Sequence, residues 1–186
     1  MSLRKTLISG FGNELLGDDG FGVEVARRLA ACKLPPHIQT IDVGIAGLHF
    51  VLELMDGFDA VIVVDAMKGG QPPGTLYVFT PCAAEGNLLS QDGIDPHVAE
   101  PAQALKLARA LGLLPADVTV VGCEPASCRL GMPLSVWASA AVDRAVQTIQ
   151  AMVVGERPNR AWNLPGVAPR TESLPESEDG GLIPDL

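Results

Sequence analysis

Apolar positions in this chain alternate between a period of two and a period near 3.6, and the switches between them outline the fold. Thr6-Leu7-Ile8 opens a first strand over residues 5–10. Phe21, Val25 and Leu29 then repeat at i, i+4, i+8 on one helix face, while Glu24, Arg27 and Arg28 lie opposite at charge-pairing spacings. Pro35-Pro36 ends that helix, and His37-Ile38-Gln39-Thr40-Ile41-Asp42 alternates as a second strand. The turn Asp42-Val43-Gly44-Ile45-Ala46-Gly47 leads into a helix whose expected core stripe is Leu48, Val51, Leu52 and Met55, at i, i+3, i+4, i+7. Asp56-Gly57 stops it. Ala60-Val61-Ile62-Val63-Val64-Asp65-Ala66 is a continuous β-branched run, suited to a central parallel strand covered on both faces.

The next strand, Thr75 to Thr80, follows a connection too short for a helical crossover, so it should run antiparallel near an edge. Residues 81–97 form a long loop, and loops of that length inside a compact domain tend to be functional. A helix follows with Ala104, Leu107, Ala108 and Leu111 expected on its core face, closed by Gly112 with Pro115 beyond. Asp117 to Gly122 is the last strand of the core. A loop over 123–134 leads to a final helix from about Ser135, with Val142, Ala145, Val146 and Ile149 inward. The alternation gives an α/β domain over residues 1–154. It is a three-layer αβα sandwich on a mostly parallel five-stranded sheet with one antiparallel strand, and ligands belong at the carboxyl ends of the parallel strands. From Gly155 the pattern stops: five prolines and the acids Glu172, Glu176, Glu178 and Asp179 mark residues 155–186 as an acidic, Pro-rich tail, extended or disordered.

Composition narrows the function. The 186 residues suit one domain with a substantial core. A net charge of −9 leaves nothing to neutralise a run of phosphates, which argues against a nucleic-acid partner. No apolar run reaches the roughly 18 residues of a membrane span, and the N-terminus enters a strand without the apolar segment of a signal peptide. The expectation is a cytoplasmic protein. The four cysteines, Cys32, Cys82, Cys123 and Cys128, contain no C-x2-C pair and read as small buried hydrophobes or thiols.

The chemistry concentrates where the strands exit. Ser9-Gly10-Phe11-Gly12-Asn13-Glu14-Leu15-Leu16-Gly17-Asp18-Asp19-Gly20-Phe21-Gly22 joins the first strand to the first helix and carries two adjacent carboxylates. Asp42 follows strand two, Asp65 ends strand three, and His97 lies in the long loop before a helix. A strand-terminal acid after five apolar residues is costly to bury unless it binds a cation or caps a helix. Two carboxylates and an imidazole would leave open positions on a first-row divalent ion. Plainer roles compete: Asp18 or Asp19 as a helix cap, Asp42 as a turn residue, His97 as an ordinary loop residue. His49 and Glu53 at i, i+4 share a polar face with Asp56 and read as solvated surface, and His37 beside Pro36 reads as structural. Gly10-x-Gly12 after a strand also suggests dinucleotide binding, but Leu15 occupies the third glycine's place and paired carboxylates would repel a pyrophosphate. No Ser, Cys or Thr has an evident His/Asp partner, so covalent catalysis is unsupported.

Together these segments resemble the nickel–iron hydrogenase maturation proteases, over roughly residues 5–154. The resemblance rests on Gly10 to Gly22, Asp42 to Gly47, Val64-Asp65-Ala66, Pro96-His97, Gly122-Cys123-Glu124-Pro125 and Gly131-Met132-Pro133-Leu134-Ser135, in that order. It implies a phosphorylase/hydrolase-like αβα fold and an endopeptidase that removes the C-terminal extension of a hydrogenase large-subunit precursor after nickel insertion. It also implies Asp19, Asp65 and His97 as metal ligands and catalytic residues, with Asp42 and Gly44 contacting substrate. The metal would be nickel carried by the substrate, in a site other divalent ions could occupy, and the protein a monomer. A non-cleaving, nickel-sensing chaperone of the precursor is the alternative, and Asp18 or Asp42 could serve as general base. The segment Asp95-Pro96-His97-Val98-Ala99-Glu100 departs from the Ser-Pro-His-x-x-Gly pattern frequent in the family.

Overall fold

Strand β1 (Thr6–Phe11) is buried along its whole length, because it has a parallel neighbour on each side and helices above and below. The computed structural model describes residues 3–81 and 99–154, and the backbone of 167–168. The neighbours of β1 are β2 (Ile38–Gly44) and β3 (Ala60–Ala66). Beyond β3 comes parallel β5 (Asp117–Cys123), then antiparallel β4 (Leu76–Phe79). A two-residue β6 (Val167–Ala168) pairs parallel with β4, completing the order β2-β1-β3-β5-β4-β6. The mostly parallel sheet and the reversed strand near its edge are as the pattern predicts. The sixth strand falls inside the stretch read as tail; the rest of that stretch lies outside the described residues, as does Asp95-Pro96-His97.

Alternation along the strands sorts the core into two layers. Ile8, Ile62, Val64 and Val121 face α1 (Phe21–Ala30) and α4 (Val136–Val154), packing on Phe21, Val25, Leu29, Val142 and Ile149. Leu7, Val61, Val63 and Val120 face the other side, packing on α2 (Gly47–Glu53) and α3 (Ala99–Ala110) through Phe50, Val51 and Leu105. Helix α1 lies very close to the sheet: a Cβ on Gly22 would come within 2.2 Å of the Val64 carbonyl oxygen. Among the described residues, no helix is long and apolar enough to cross a membrane.

Two helices turn a different face inward from the one the periodicity predicts. In α2 and the 3-10 turn after it (Leu54–Asp56), the core contacts are Phe50, Val51 and Leu54, all at most 2% exposed. Leu48, Leu52 and Met55 stand 63%, 55% and 66% exposed. The segment carries two apolar stripes, and the one holding the largest ring wins: Phe50 meets Phe11 edge-on with centroids 5.4 Å apart. In α3, Ala104 and Ala108 are buried as predicted, but with Leu105; Leu107 and Leu111 are exposed. Unfolding measurements distinguish the stripes of α2. Phe50→Ala should cost about 3–5 kcal/mol and Leu52→Ala no more than about 0.5 kcal/mol; the reverse order would restore the predicted stripe.

Candidate functional site

The loop after β1 folds back on itself at Gly12. The residue sits at φ +120°, and a Cβ there would lie 1.8 Å from the Asp19 carbonyl oxygen, so only glycine allows this return. The same Cβ would lie 3.6 Å from Asp65 Oδ1. The Asp19 backbone carbonyl and the Asp65 carboxylate from the end of β3 therefore both lie close to Gly12. The Asn13 backbone N–H donates to Asp19 Oδ2 at 2.8 Å, while Asn13 Oδ1 accepts from the Leu15 N–H at 3.0 Å. Residues Glu14–Gly20 form a 3-10 segment broken at Leu16 and Gly17, and it packs against β3. Asp19 and Asp65 are 7% and 8% exposed. Asp65 stands near the carboxyl end of β3 and the Asp19 loop leaves the adjacent carboxyl end of β1, the sheet edge at which such folds bind ligands.

Neither aspartate of the pair caps α1, whose cap position is taken by Gly20 without a side-chain bond. Asp18 does something else. It is fully buried, and its Oδ2 accepts from the Ala126 N–H at 2.7 Å, the Ser127 N–H at 3.3 Å and the Ser135 hydroxyl at 2.9 Å. Its Oδ1 accepts from the Ser135 N–H at 2.6 Å. Ser135 in turn caps α4, its Oγ accepting from the Ala138 N–H at 3.1 Å. Backbone bonds from Asp18 N–H to the Ser127 carbonyl (3.0 Å) and from Gly131 N–H to the Leu15 carbonyl (2.7 Å) reinforce the junction. With both oxygens taken, Asp18 anchors the site loop to residues 126–135 and is no general base.

Asp42 lies on the rim. Its Oδ2 accepts from Arg27 Nε at 3.0 Å and forms an ion pair with Nη2 at 2.9 Å, while Arg27 Nη2 donates to Glu14 Oε2 at 2.7 Å. The hydrogen bond to Arg27 holds the Glu14 carboxyl below its ordinary range, and Glu14 together with Asp42 raises the Arg27 guanidinium. Gly44 sits at φ +56°, and its carbonyl accepts from the Gly12 N–H at 3.1 Å. The two residues read as substrate contacts are thus stitched to the loop that carries Asp19. His97 lies outside the described residues. Among the described residues no three His, Cys, Asp or Glu side chains converge as a metal site. Two acids suit a hard or borderline divalent ion that takes a nitrogen donor from elsewhere.

Other polar groups have structural partners. His49 pairs with Glu53 at 3.2 Å on the surface, as expected, and Glu53 also accepts from Gln39 Nε2 at 3.0 Å. Burial first, and the nearby Asp18 charge second, push the Cys123 thiol up to about 12, so it is no nucleophile at neutral pH. Glu124 was not foreseen as a buried acid. Its Oε2 accepts from the Gly69 N–H at 2.7 Å, the Gln71 N–H at 3.2 Å and the Tyr77 hydroxyl, fixing the loop after β3. Burial and Glu124 together raise the Tyr77 hydroxyl. The available signal was an acid directly after the apolar run of β5.

Comparison with known proteins is consistent with this geometry. Residues 23–152 match a family model described as hydrogenase maturation protease. A Methanocaldococcus jannaschii protein assigned as a hydrogenase maturation protease is 34% identical over 155 residues, covering 80% of this chain and 96% of its own. The delta subunit of the coenzyme F420 hydrogenase of Methanothermobacter thermautotrophicus is 32% identical, over 77% of this chain and 90% of its own. Among solved structures, the hydrogenase maturating endopeptidase HybD from Escherichia coli superposes with a TM-score of 0.69 at 28% identity, covering 81% of this chain and 92% of its own.

Proposed function

Because the chain belongs to the hydrogenase maturation protease family, we propose that it is an endopeptidase removing the C-terminal extension of a nickel–iron hydrogenase large-subunit precursor once nickel is in place. The observation that carries this reading is that two nearly buried acids, Asp19 and Asp65, come close to the same glycine, Gly12, at the sheet's carboxyl edge, Asp19 through its backbone and Asp65 through its carboxylate. Nickel is here part of the substrate. Asp19, Asp65 and His97 complete the coordination of the precursor's ion, and recognition of the ion brings the nearby peptide bond into the site. The end of β2 at Asp42–Gly44, bonded to Gly12 through the Gly44 carbonyl, borders the same site, and as an edge strand β2 offers backbone groups to an extended peptide. Water then adds across the scissile bond: its oxygen joins the carbonyl carbon, and the departing amine takes up a proton. Bound nickel supplies polarisation of that carbonyl or of the water. Asp18 is saturated by donors and Asp42 is paired with Arg27, so neither is poised as the base. The reading carries a cytoplasmic monomer that acts without nucleic acid or membrane.

A relative named as a hydrogenase subunit supports keeping the second reading, a chaperone that binds nickel-loaded precursor without cutting it. Intact-mass measurement after mixing the protein with nickel-loaded and nickel-free precursor separates them. The protease shortens the loaded precursor alone. A stable complex in which the loaded precursor keeps its full mass would overturn proteolysis in favour of the chaperone.

A further inference from the structure

Arg27 belongs to α1, yet its side chain reaches back to the two loops that border the candidate site. One edge of the guanidinium meets Glu14, at the start of the segment carrying Asp19; the other meets Asp42, two residues before Gly44. Resting on the proteolytic reading above, we infer that Arg27 is a positioning residue: it clamps the Asp19 loop against the end of β2 at Asp42–Gly44 and so sets how the precursor peptide lies over the carboxylates.

Four features support this. First, Glu14 lies in the loop after β1 and Asp42 near the end of the neighbouring β2; the ladder between the strands ends at Phe11 and Gly44, and beyond it the Gly12 N–H bond to the Gly44 carbonyl and the Arg27 contacts tie the β1 loop to the end of β2. Second, the contact uses Nε, Nη1 and Nη2 together, a planar fork that a lysine ammonium cannot reproduce. Third, the side chains of Arg27, Glu14 and Asp42 are 48%, 53% and 36% exposed. Ion pairs that exposed contribute little to global stability, so removing this one should change loop geometry and leave the fold standing. Fourth, Asp42 carries Arg27 as its counter-charge. It therefore acts through the clamp rather than as a lone anion offered to substrate, and the end of β2 presents its backbone.

The test combines kinetics on nickel-loaded precursor with amide hydrogen exchange on the unliganded protein. Arg27→Met should raise KM about tenfold or more while kcat changes less than about threefold, since loosened positioning weakens productive binding before chemistry. Arg27→Lys should fall between wild type and Arg27→Met. Asp42→Asn should raise KM in the wild-type background and add less than about twofold to Arg27→Met, because coupled residues are not additive. Amides of residues 43–46 should exchange faster in Arg27→Met, with the thermal midpoint unchanged. Equal KM values for wild type and Arg27→Met, equal cost of Asp42→Asn in both backgrounds, or unaltered exchange would each overturn the clamp. Loss of precursor cleavage in the wild type itself would instead overturn the proteolytic reading, and the exchange data would still report on the clamp.

Discussion

Asp65→Ala should leave the protein folded and lower precursor cleavage by more than about 100-fold, since even outer-shell partners of a metal ligand cost 10- to 100-fold when removed. The residue lies next to last in β3, and its backbone keeps register opposite Gly122 whatever the side chain. Its carboxylate is 8% exposed in a strand that is otherwise apolar. The backbone ladder of β3 does not depend on this side chain, so activity should fall far more than stability, which is the signature of a residue kept for function. Asp65→Asn preserves volume and removes only the charge, and it should fail to the same degree. The loss should extend to capture of nickel-loaded precursor in a pull-down, because the ion is the recognition element. Cleavage by Asp65→Ala at the wild-type rate would sink the metal-site reading; loss of activity together with a collapsed melting curve would mean only that the strand needs this side chain.

Asp18→Ala should do the opposite and damage the fold first. Four donors, the N–H groups of Ala126, Ser127 and Ser135 and the Ser135 hydroxyl, lose their acceptor at once. Removing one partner of buried, charge-assisted hydrogen bonds costs about 3–5 kcal/mol when several donors are stranded. For a domain of this size that is a fall in thermal midpoint of roughly 10 °C or more. Asparagine should not rescue it, because its amide nitrogen would confront N–H donors on one side. Circular-dichroism melting of Asp18→Ala, Asp18→Asn and Asp65→Ala side by side tests the contrast between neighbouring roles. Equal midpoints for all three would show that Asp18 anchors nothing.

The contrast between these aspartates marks where the sequence was legible. Asp65 announces itself, because a carboxylate at the end of Ala60-Val61-Ile62-Val63-Val64 has no local reason to be there. The layer architecture was equally readable: a run of four β-branched residues, Val61 to Val64, and a connection too short for a helix permit few sheets. Roles set by distant partners were not readable. Nothing near Asp18 reveals that its oxygens are occupied by residues 126, 127 and 135, and nothing near Arg27 reveals that it joins Glu14 to Asp42. Helical periodicity failed in α2 for a related reason. A short helix with two apolar stripes leaves the choice of face to whichever partner in the sheet fills space better, here Phe11 against Phe50. Glu124 was hidden likewise, since its partners at Gly69, Gln71 and Tyr77 come from another loop and strand.

The Asp18 junction also bears on how the molecule is made. The acid is synthesised early, and its last donor, Ser135, follows 117 residues later. At translation rates of 5–20 residues per second, that interval is about 6–23 s. During it β1, β2 and β3 can pair on the ribosome, but the loop holding Asp19 lacks the anchor that Asp18 provides to residues 126–135. A nascent chain stalled before residue 126 would hold the sheet's first half with this loop unpinned, its buried carboxylate still seeking water. The candidate site would thus be among the last parts of the domain to set, closing only as the start of α4 leaves the exit tunnel.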